Sequence, residues 1–196
     1  MLTQLLNGSV PSVAQAQGAV AFSRLGDGKP HNKTAAGTAG APLEVLFCQA
    51  GSLEVEAPGR RAQAKNGTVL LFSAVPGTWS VCADAEFRGA VLTLERTKLS
   101  AFGRECGGFV LNEDSACRLE ASGGCALLQA CPWEVSVFAS LEALPAEEQA
   151  DYLKLKTAEM FYLLGREALR LCAPAACAYY DSHQREAVRQ AHDDML

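Results

Sequence analysis

Short apolar runs separated by turn residues dominate the region 43–95. Pro-Gly at 58–59 and Asn-Gly at 66–67 are typical turn signals between such runs. Within 53–57, apolar and acidic residues alternate, which is typical of a strand with one buried face. Several short strands at this spacing predict a mostly β domain, either a sandwich or a barrel. The runs are 43–49, 53–57, 68–74, 78–83 and 87–95, preceded by one at 18–25.

The segment 26–42, GDGKPHNKTAAGTAGAP, is rich in Gly, Ala and Thr. We predict a loop here. A loop of this length in a compact domain is often functional or disordered, and we place it near the mouth of the barrel. The later stretch 96–131 contains two Gly-Gly pairs and mixed short segments that the pattern does not assign.

The period of the apolar residues becomes helical after residue 131. Val137, Phe138 and Leu141 fall on one side of a short helix at 132–144. A longer helix is predicted at 146–172, and it carries two apolar stripes, so it must be covered on two sides. The barrel can cover one stripe, and a neighbouring helix or a second chain must cover the other. The first stripe is Leu153, Thr157, Met160, Phe161, Leu164, Ala168 and Leu171; the second is Leu155, Ala158, Tyr162 and Leu169.

The last stretch, 181–196, predicts the start of another amphipathic helix. A capping-box pattern opens it at Asp181. Its apolar face consists of Val188, Ala191 and Met195. Because no helix stop signal follows, we expect this face to pack against a domain outside these residues.

Two segments resemble the effector-binding half of AraC-family transcription regulators. LEVLFCQAGSLEVEAPGRRAQAKNGTVLLFSA, at 43–74, is similar to the family's cupin-like barrel. DYLKLKTAEMFYLLGREAL, at 151–169, is similar to the helix that follows the barrel in one branch of the family, with its Lys-x-x-Glu pair at Lys156 and Glu159.

The resemblance implies a mostly β plus α fold in three parts. The first is a cupin-like β-barrel or jelly roll at 1–131, which would bind a small-molecule effector. The second is a helical dimerisation segment at 132–178. The third, 179–196, would be the start of a DNA-binding domain whose helix-turn-helix units are absent from this chain.

Composition argues against several classes of function. The net charge is −5 and the basic residues are scattered, so there is no basic stripe to displace phosphate counterions. We therefore expect contact with DNA only through the missing C-terminal domain. No apolar run reaches the ~18 residues of a membrane span, and MLTQLLNGSV lacks the pattern of a signal peptide. We expect a cytoplasmic protein with no membrane partner and with reduced cysteines.

No combination of residues predicts catalysis or a cofactor. Metal-dependent cupin enzymes need clustered histidines, and none of the three histidines is placed to chelate inside a barrel. Four cysteines could hold zinc, but their spacing contains no Cys-x-x-Cys pair. Nucleophile, phosphate-loop and dinucleotide motifs are missing as well. We therefore expect no metal, no cofactor and no enzyme. The residues weighed are His31, His183, His192, Cys106, Cys117, Cys125 and Cys131.

Aromatic residues in the predicted strands are the candidates for the effector site. Core packing is their default role, but ligand cavities are also lined by apolar rings. We predict ligand binding by Phe47, Phe72, Trp79 and Phe87, and a homodimer interface of Leu155, Ala158, Tyr162 and Leu169. The predicted function is the ligand-sensing and dimerisation domain of an AraC-type transcription regulator. The alternative is a cupin-fold enzyme, an isomerase or lyase, with a helical tail.

Overall fold

The computed structural model of the chain describes residues 2–6, 14–16, 20–26, 28–105, 113–130, 132–143, 152–160, 162 and 164. The strands are β1 (Ala14–Ala16), β2 (Val20–Leu25), β3 (His31–Gly37), β4 (Leu43–Ala50), β5 (Ser52–Ala57), β6 (Arg60–Lys65), β7 (Thr68–Ser73), β8 (Gly77–Ala83), β9 (Arg88–Leu94) and β10 (Cys125–Gln129). The helices are α1 (Leu2–Leu6), a short 3-10 turn (Arg96–Lys98), α2 (Leu99–Glu105), α3 (Glu113–Ala121) and α4 (Pro132–Ala143). They are followed by α5, whose described part is 152–160 with 162 and 164.

The strands form two antiparallel sheets that pack face to face. Sheet A has six strands in the order β1-β2-β9-β4-β7-β10, and sheet B has four in the order β3-β8-β5-β6. Apart from β1 and β2, strands that neighbour each other in sheet A are distant in sequence; Val20 of β2, for example, faces Leu94 of β9. This arrangement is a sandwich of the jelly-roll type.

Sheet A is covered on both faces, which explains the unbroken apolar runs of its central strands. In β4, Val45 and Phe47 belong to a cluster shared with the helices, and we call this cluster the outer core. Leu46 and Cys48 belong to a second cluster, between the two sheets, which we call the inner core. Successive strand residues point to opposite faces. LEVLFC can therefore be almost wholly apolar because neither face of this strand meets water.

Sheet B has one buried face and one face toward solvent. In β5, Leu53 and Val55 are fully buried in the inner core, whereas Glu56 is exposed. In β8, Trp79 and Val81 are buried and Cys82 is exposed. The alternation that the sequence shows in these strands follows directly from this one-sided burial.

The helices cover the outer face of sheet A. Phe138 of α4 stacks on Phe47 of β4, with ring centroids 5.1 Å apart. The far end of α4 is tied to the sheet, because the Gln49 side-chain amide donates to Glu142 Oε1 at 2.7 Å and the Arg24 guanidinium donates to the Glu142 carbonyl at 2.6 Å. Buried apolar residues from α2, α3, α4 and α5 complete the outer core: Leu99, Phe102, Ala116, Leu119, Val137, Phe138, Leu141, Leu153, Met160 and Leu164.

The predicted mostly β fold followed by helices is confirmed, and so is the short helix near 132–144. The predicted loop at 26–42 is wrong over 31–37. Here β3 pairs with β8, with Thr34 facing Ser80. The segment reads as a loop because it is an edge strand of small and polar residues, none of them fully buried.

The first stripe of the long helix faces the outer core, since Leu153, Thr157, Met160 and Leu164 are all buried. Phe161, Ala168 and Leu171 of that stripe lie outside the described residues, as does the helix predicted at 181–196. The domain ranges 1–131, 132–178 and 179–196 stay predictions.

Candidate ligand-binding site

The inner core holds three of the four aromatic residues predicted to bind a ligand. Phe72, Trp79 and Phe87 are buried there, at 0%, 0% and 1% exposure. Phe47 points to the opposite face of sheet A and packs in the outer core against Phe138. The four rings therefore do not line one space. Sequence parity could not assign the faces, because both faces of sheet A are apolar.

Trp79 is held in one orientation by its neighbours. Its indole Nε1 donates to the Val75 carbonyl at 2.9 Å, and Phe72 meets the ring edge-on at 4.6 Å between centroids. A Cβ on Gly37 would overlap the indole and the same carbonyl, and a Cβ on Gly124 would overlap the Ser73 carbonyl. The Gly residues of β3 and of the turn before β10 thus allow the backbone to approach the largest ring of the inner core.

A carboxylate also lies in the inner core. Glu44 is 0% exposed, and strand alternation places it on the same face of β4 as Leu46 and Cys48. One of its oxygens, Oε2, accepts a hydrogen bond from the backbone N–H of Leu2 at 2.8 Å. Sequence reasoning missed this residue. The available signal was an acidic residue inside the otherwise apolar run LEVLFC.

The donor to Glu44 belongs to α1, which closes one side of the sandwich. Leu2, Leu5 and Leu6 are buried at 0%, 7% and 2% exposure as members of the inner core. The helix lies against β2 of sheet A and against β3 and β8 of sheet B. On the other side of the sandwich, β6 lies against β4, β7 and β10. The two sides of the interior are therefore closed differently, one by strands and one by a five-residue helix.

Two buried thiols, Cys48 and Cys125, also belong to the inner core. Burial, with a smaller contribution from the negative charge of Asp84, raises the pKa of the Cys48 thiol from 9.0 to about 11. The Cys48 thiol donates weakly to the Ala50 carbonyl at 3.5 Å. Burial also raises the pKa of Cys125, while nearby Arg60 opposes the shift. In both thiols, burial thus favours the neutral form over the thiolate.

A polar cluster fastens α3 to the rim of sheet A. Ser73 Oγ donates to Glu120 Oε1 at 2.9 Å, and the Arg96 guanidinium pairs with the same carboxylate oxygen. Arg96 also reaches the sulfur of Cys117, at 3.2 Å. The groups satisfy one another, so this cluster positions a helix.

The structure describes only some of the histidines and cysteines that were weighed as metal ligands. Where the chain is described, no three His, Cys, Asp or Glu side chains gather closely enough to hold a metal ion. Cys117 is exposed and Cys125 is buried, while Cys106 and Cys131 lie outside the described residues, as do His183 and His192. His31 lies on β3.

The second stripe of α5 faces outward. Leu155 is 62% exposed and Tyr162 is 48% exposed, and Ala158 is half-buried. Leu169, the fourth predicted interface residue, lies outside the described residues. Lys156 Nζ forms an ion pair with Glu159 Oε2 at 2.7 Å along the same helix. The Glu159 carboxylate raises the pKa of Lys156 by accepting this hydrogen bond.

Comparison with known proteins gives a likeness of fold. No protein-family model matches the chain, and no curated protein sequence matches it. Among solved structures, an apo variant of ToxT from Vibrio cholerae strain SCE256 aligns with a TM-score of 0.55 and 11% identity, over 79% of this chain and 59% of ToxT. Wild-type ToxT from the same strain, with bound unsaturated fatty acid, gives 0.54 and 10% over 92% of this chain and 65% of ToxT.

A third structure, the AraC-like transcriptional activator CuxR, aligns with a TM-score of 0.50 and 12% identity over 91% of this chain and 64% of CuxR. The chain shares the fold of AraC-like regulators. The resemblance found in the sequence is thereby confirmed at the level of fold. The chain spans 59% to 65% of the length of these regulators. None of the described helices has the length and hydropathy needed to cross a membrane.

Proposed function

We propose that this chain is the ligand-sensing and dimerisation part of an AraC-type transcription regulator, which controls transcription through a helix-turn-helix domain outside these 196 residues. The observation that carries the proposal is the fold shared with ToxT over 92% of the chain. The ToxT structure in that alignment holds an unsaturated fatty acid. By analogy, a small apolar molecule with one polar group is the kind of effector expected for this sandwich.

The distribution of exposed apolar side chains supports dimerisation. Among the described residues, every large apolar side chain that stays exposed comes from β10, α4 or α5, and sheet B contributes none. These residues are Leu127, Trp133, Val135, Leu155 and Tyr162. Exposed apolar side chains on α4 and α5 are typical of a partner surface.

A second copy of the chain is the partner we propose for this surface. A two-fold axis lets the same stripe of α5 meet itself, so one apolar stripe is enough to build the interface. In such a dimer the buried stripe of α5 rests on sheet A while the exposed stripe contacts the partner. A change in the sandwich could then reach the interface through a single helix.

Sedimentation velocity tests the dimer. We expect the unmodified chain to sediment as a dimer at micromolar concentration and the Leu155→Glu/Tyr162→Glu variant as a monomer, because two charges cannot be buried unpaired at the interface. Thr34→Glu/Ala85→Glu adds the same charge at exposed positions of β3 and the β8–β9 turn, and this control should remain dimeric. A monomeric unmodified chain at high micromolar concentration would refute the dimer.

A reporter assay tests the role in transcription. The chain is fused to a repressor DNA-binding domain that acts only as a dimer. The fusion should repress, the Leu155→Glu/Tyr162→Glu fusion should not, and the control fusion should repress fully. Equal repression by all three fusions would show that the exposed stripe of α5 does not assemble the regulator.

A further inference from the structure

We propose that α5 is a switch helix, which undocks from sheet A while the sandwich stays folded, and that the buried hydroxyl of Thr157 sets how readily it does so. The inference rests on the proposed function and deepens it, since α5 is the helix that would carry a change in the sandwich to the dimer interface. It is carried by three features: the stripe of α5 that faces the outer core, the contacts that fasten the neighbouring helices, and the side chains on the outward face of α5.

The buried stripe of α5 consists of Leu153, Thr157, Met160 and Leu164, and we call it the seat. All four side chains are at most 1% exposed. Helical spacing places Thr157 in the middle of the seat, and its hydroxyl has no hydrogen-bond partner among the described residues. The hydration that this hydroxyl loses is therefore not replaced while α5 is docked. Once α5 leaves the sheet, water satisfies the group, so the penalty acts against docking.

The neighbouring helices are fastened to sheet A by polar contacts. Glu120 of α3 accepts a hydrogen bond from the Ser73 hydroxyl of β7 at 2.9 Å. Glu142 of α4 accepts one from the Gln49 side-chain amide of β4 at 2.7 Å. In α3 and α4, polar side chains thus favour docking. In α5, the polar group at the centre of the seat opposes it.

The contacts of Lys156 do not depend on the sheet. Its Nζ pairs with Glu159 Oε2 at 2.7 Å and lies 5.5 Å from the centre of the Tyr152 ring, and both partners belong to α5. Undocking leaves these contacts in place. The cost of undocking is therefore the exposure of the apolar seat to water, and hydration of the Thr157 hydroxyl offsets part of it.

The outward face of α5 gives undocking a regulatory consequence. Leu155 is 62% exposed and Tyr162 is 48% exposed. A second copy that buries these side chains binds the docked helix better than the undocked one, so assembly shifts the balance toward docking. The coupling is reciprocal, so a change in sheet A that loosens the seat weakens the dimer. A seat without the Thr157 penalty would stay docked and respond less.

Amide hydrogen exchange, followed residue by residue by NMR, tests the proposal on the full chain. It is measured first in the Leu155→Glu/Tyr162→Glu variant, so that assembly does not contribute. Helices are marginal in water without packing, so the α5 amides exchange whenever the helix undocks. After correction for intrinsic rates, we expect them to exchange roughly tenfold faster than the α4 amides, through a local opening that leaves the strands protected.

Substitutions of Thr157 in the same background give the deciding comparison. Thr157→Val removes the unpaired hydroxyl and keeps a similar shape, so the α5 amides should exchange about fivefold more slowly while the α4 amides are unchanged. Thr157→Ser keeps the hydroxyl and removes a methyl group, so the α5 amides should exchange at least as fast as before. Thr78→Val makes the first change at an exposed position of β8, and should leave both helices unchanged. If circular dichroism shows that Thr157→Val fails to fold, the ratio of α5 to α4 exchange and the Thr157→Ser variant decide.

Three outcomes would overturn the inference: α5 amides that exchange no faster than those of α4, a Thr157→Val variant that slows α4 as much as α5, or one that does not slow α5 at all. The second would show that the hydroxyl affects only overall stability, and the third that it is satisfied in solution.

The proposed function is judged by a separate measurement on the unmodified chain. Dimerisation through the outward face should slow exchange of the α5 amides as the protein concentration rises. Exchange that is independent of concentration would count against the dimer, whereas the comparisons in the Leu155→Glu/Tyr162→Glu background would still decide whether α5 undocks.

Discussion

The two faces of sheet A are equally buried, yet they are built from different chemistry. The inner face meets sheet B across the inner core, where a carboxylate, an indole and two thiols are buried: Glu44, Cys48 and Cys125 from sheet A and Trp79 from sheet B. The outer face meets the helices through stacked rings and aliphatic side chains. Buried polar side chains occur there as well, on Ser73 and Thr157, and the Thr157 hydroxyl is the one buried side-chain oxygen or nitrogen without a hydrogen-bond partner in the described residues. The two cores thus differ in how their buried polar groups are satisfied.

The largest expected effect compares one buried ring from the inner core with one from the outer core. Trp79→Ala should lower the free energy of unfolding by about 5 kcal/mol and Phe138→Ala by about 3 kcal/mol. Both side chains are fully buried, but Trp79 also makes the hydrogen bond to the Val75 carbonyl, which the change leaves without its donor. Urea titration measures both values. A larger loss of unfolding free energy for Phe138→Ala than for Trp79→Ala would contradict this expectation.

A smaller loss of stability, at alkaline pH, is expected from a buried thiol of the inner core. The folded-state pKa of Cys48 is raised to about 11 from 9.0, so the neutral thiol contributes stability that is fully present below pH 9. As pH rises from 9 to about 11, the unfolded chain loses the proton before the folded chain does, and this stability is lost. Comparing the unmodified chain with Cys48→Ala across that range isolates the effect.

The control for the alkaline experiment is Cys82→Ala, which removes an exposed thiol from sheet B. Because Cys82 is exposed, Cys82→Ala should not reproduce the pH-dependent difference expected for Cys48→Ala. If Cys48→Ala also shows no change in its difference from the unmodified chain between pH 9 and 11, the thiol is not desolvated in the fold.

The smallest expected effect is a gain in stability, from a substitution in the outer core. Thr157→Val should stabilise the chain by about 1 kcal/mol, because it replaces an unpartnered buried hydroxyl with a methyl group of similar shape. Thr78→Val, at an exposed position of β8, should change stability little. Thermal unfolding of the two variants beside the unmodified chain provides the comparison. Destabilisation by Thr157→Val would mean that the hydroxyl is satisfied in solution.

Strands buried on one face were the easiest to predict. The alternation of Leu53 and Val55 with acidic residues located β5, and it also located the inner face of sheet B. The apolar runs of β4 and β7 were recognised as strands. Without alternation of apolar and polar residues, however, the sequence does not show which side chains point to which face of the sheet. Phe47 was therefore grouped with Phe72 although the two rings lie on opposite faces.

Elements that depend on contacts distant in sequence were missed. β3 looks like a loop because Gly37 must be small to lie against Trp79, a constraint that local composition cannot reveal. β10 was not assigned, because its five residues follow a Gly-Gly turn and gain their strand character from pairing with β7. The role of Glu44 depends on α1, which lies far from it in sequence.

The strand order of sheet A also determines how this chain must fold. β2 and β4 both pair with β9, and β7 pairs with β10, so the sheet closes only after long loops have been brought together. Such non-local topologies fold on timescales of milliseconds to seconds, more slowly than helical proteins of similar size. During synthesis, β4 and β7 can pair before β9 emerges from the ribosome. The helices that cover the outer face come later still in the chain, so the apolar residues of β4 and β7 on that face are exposed in the meantime and favour aggregation.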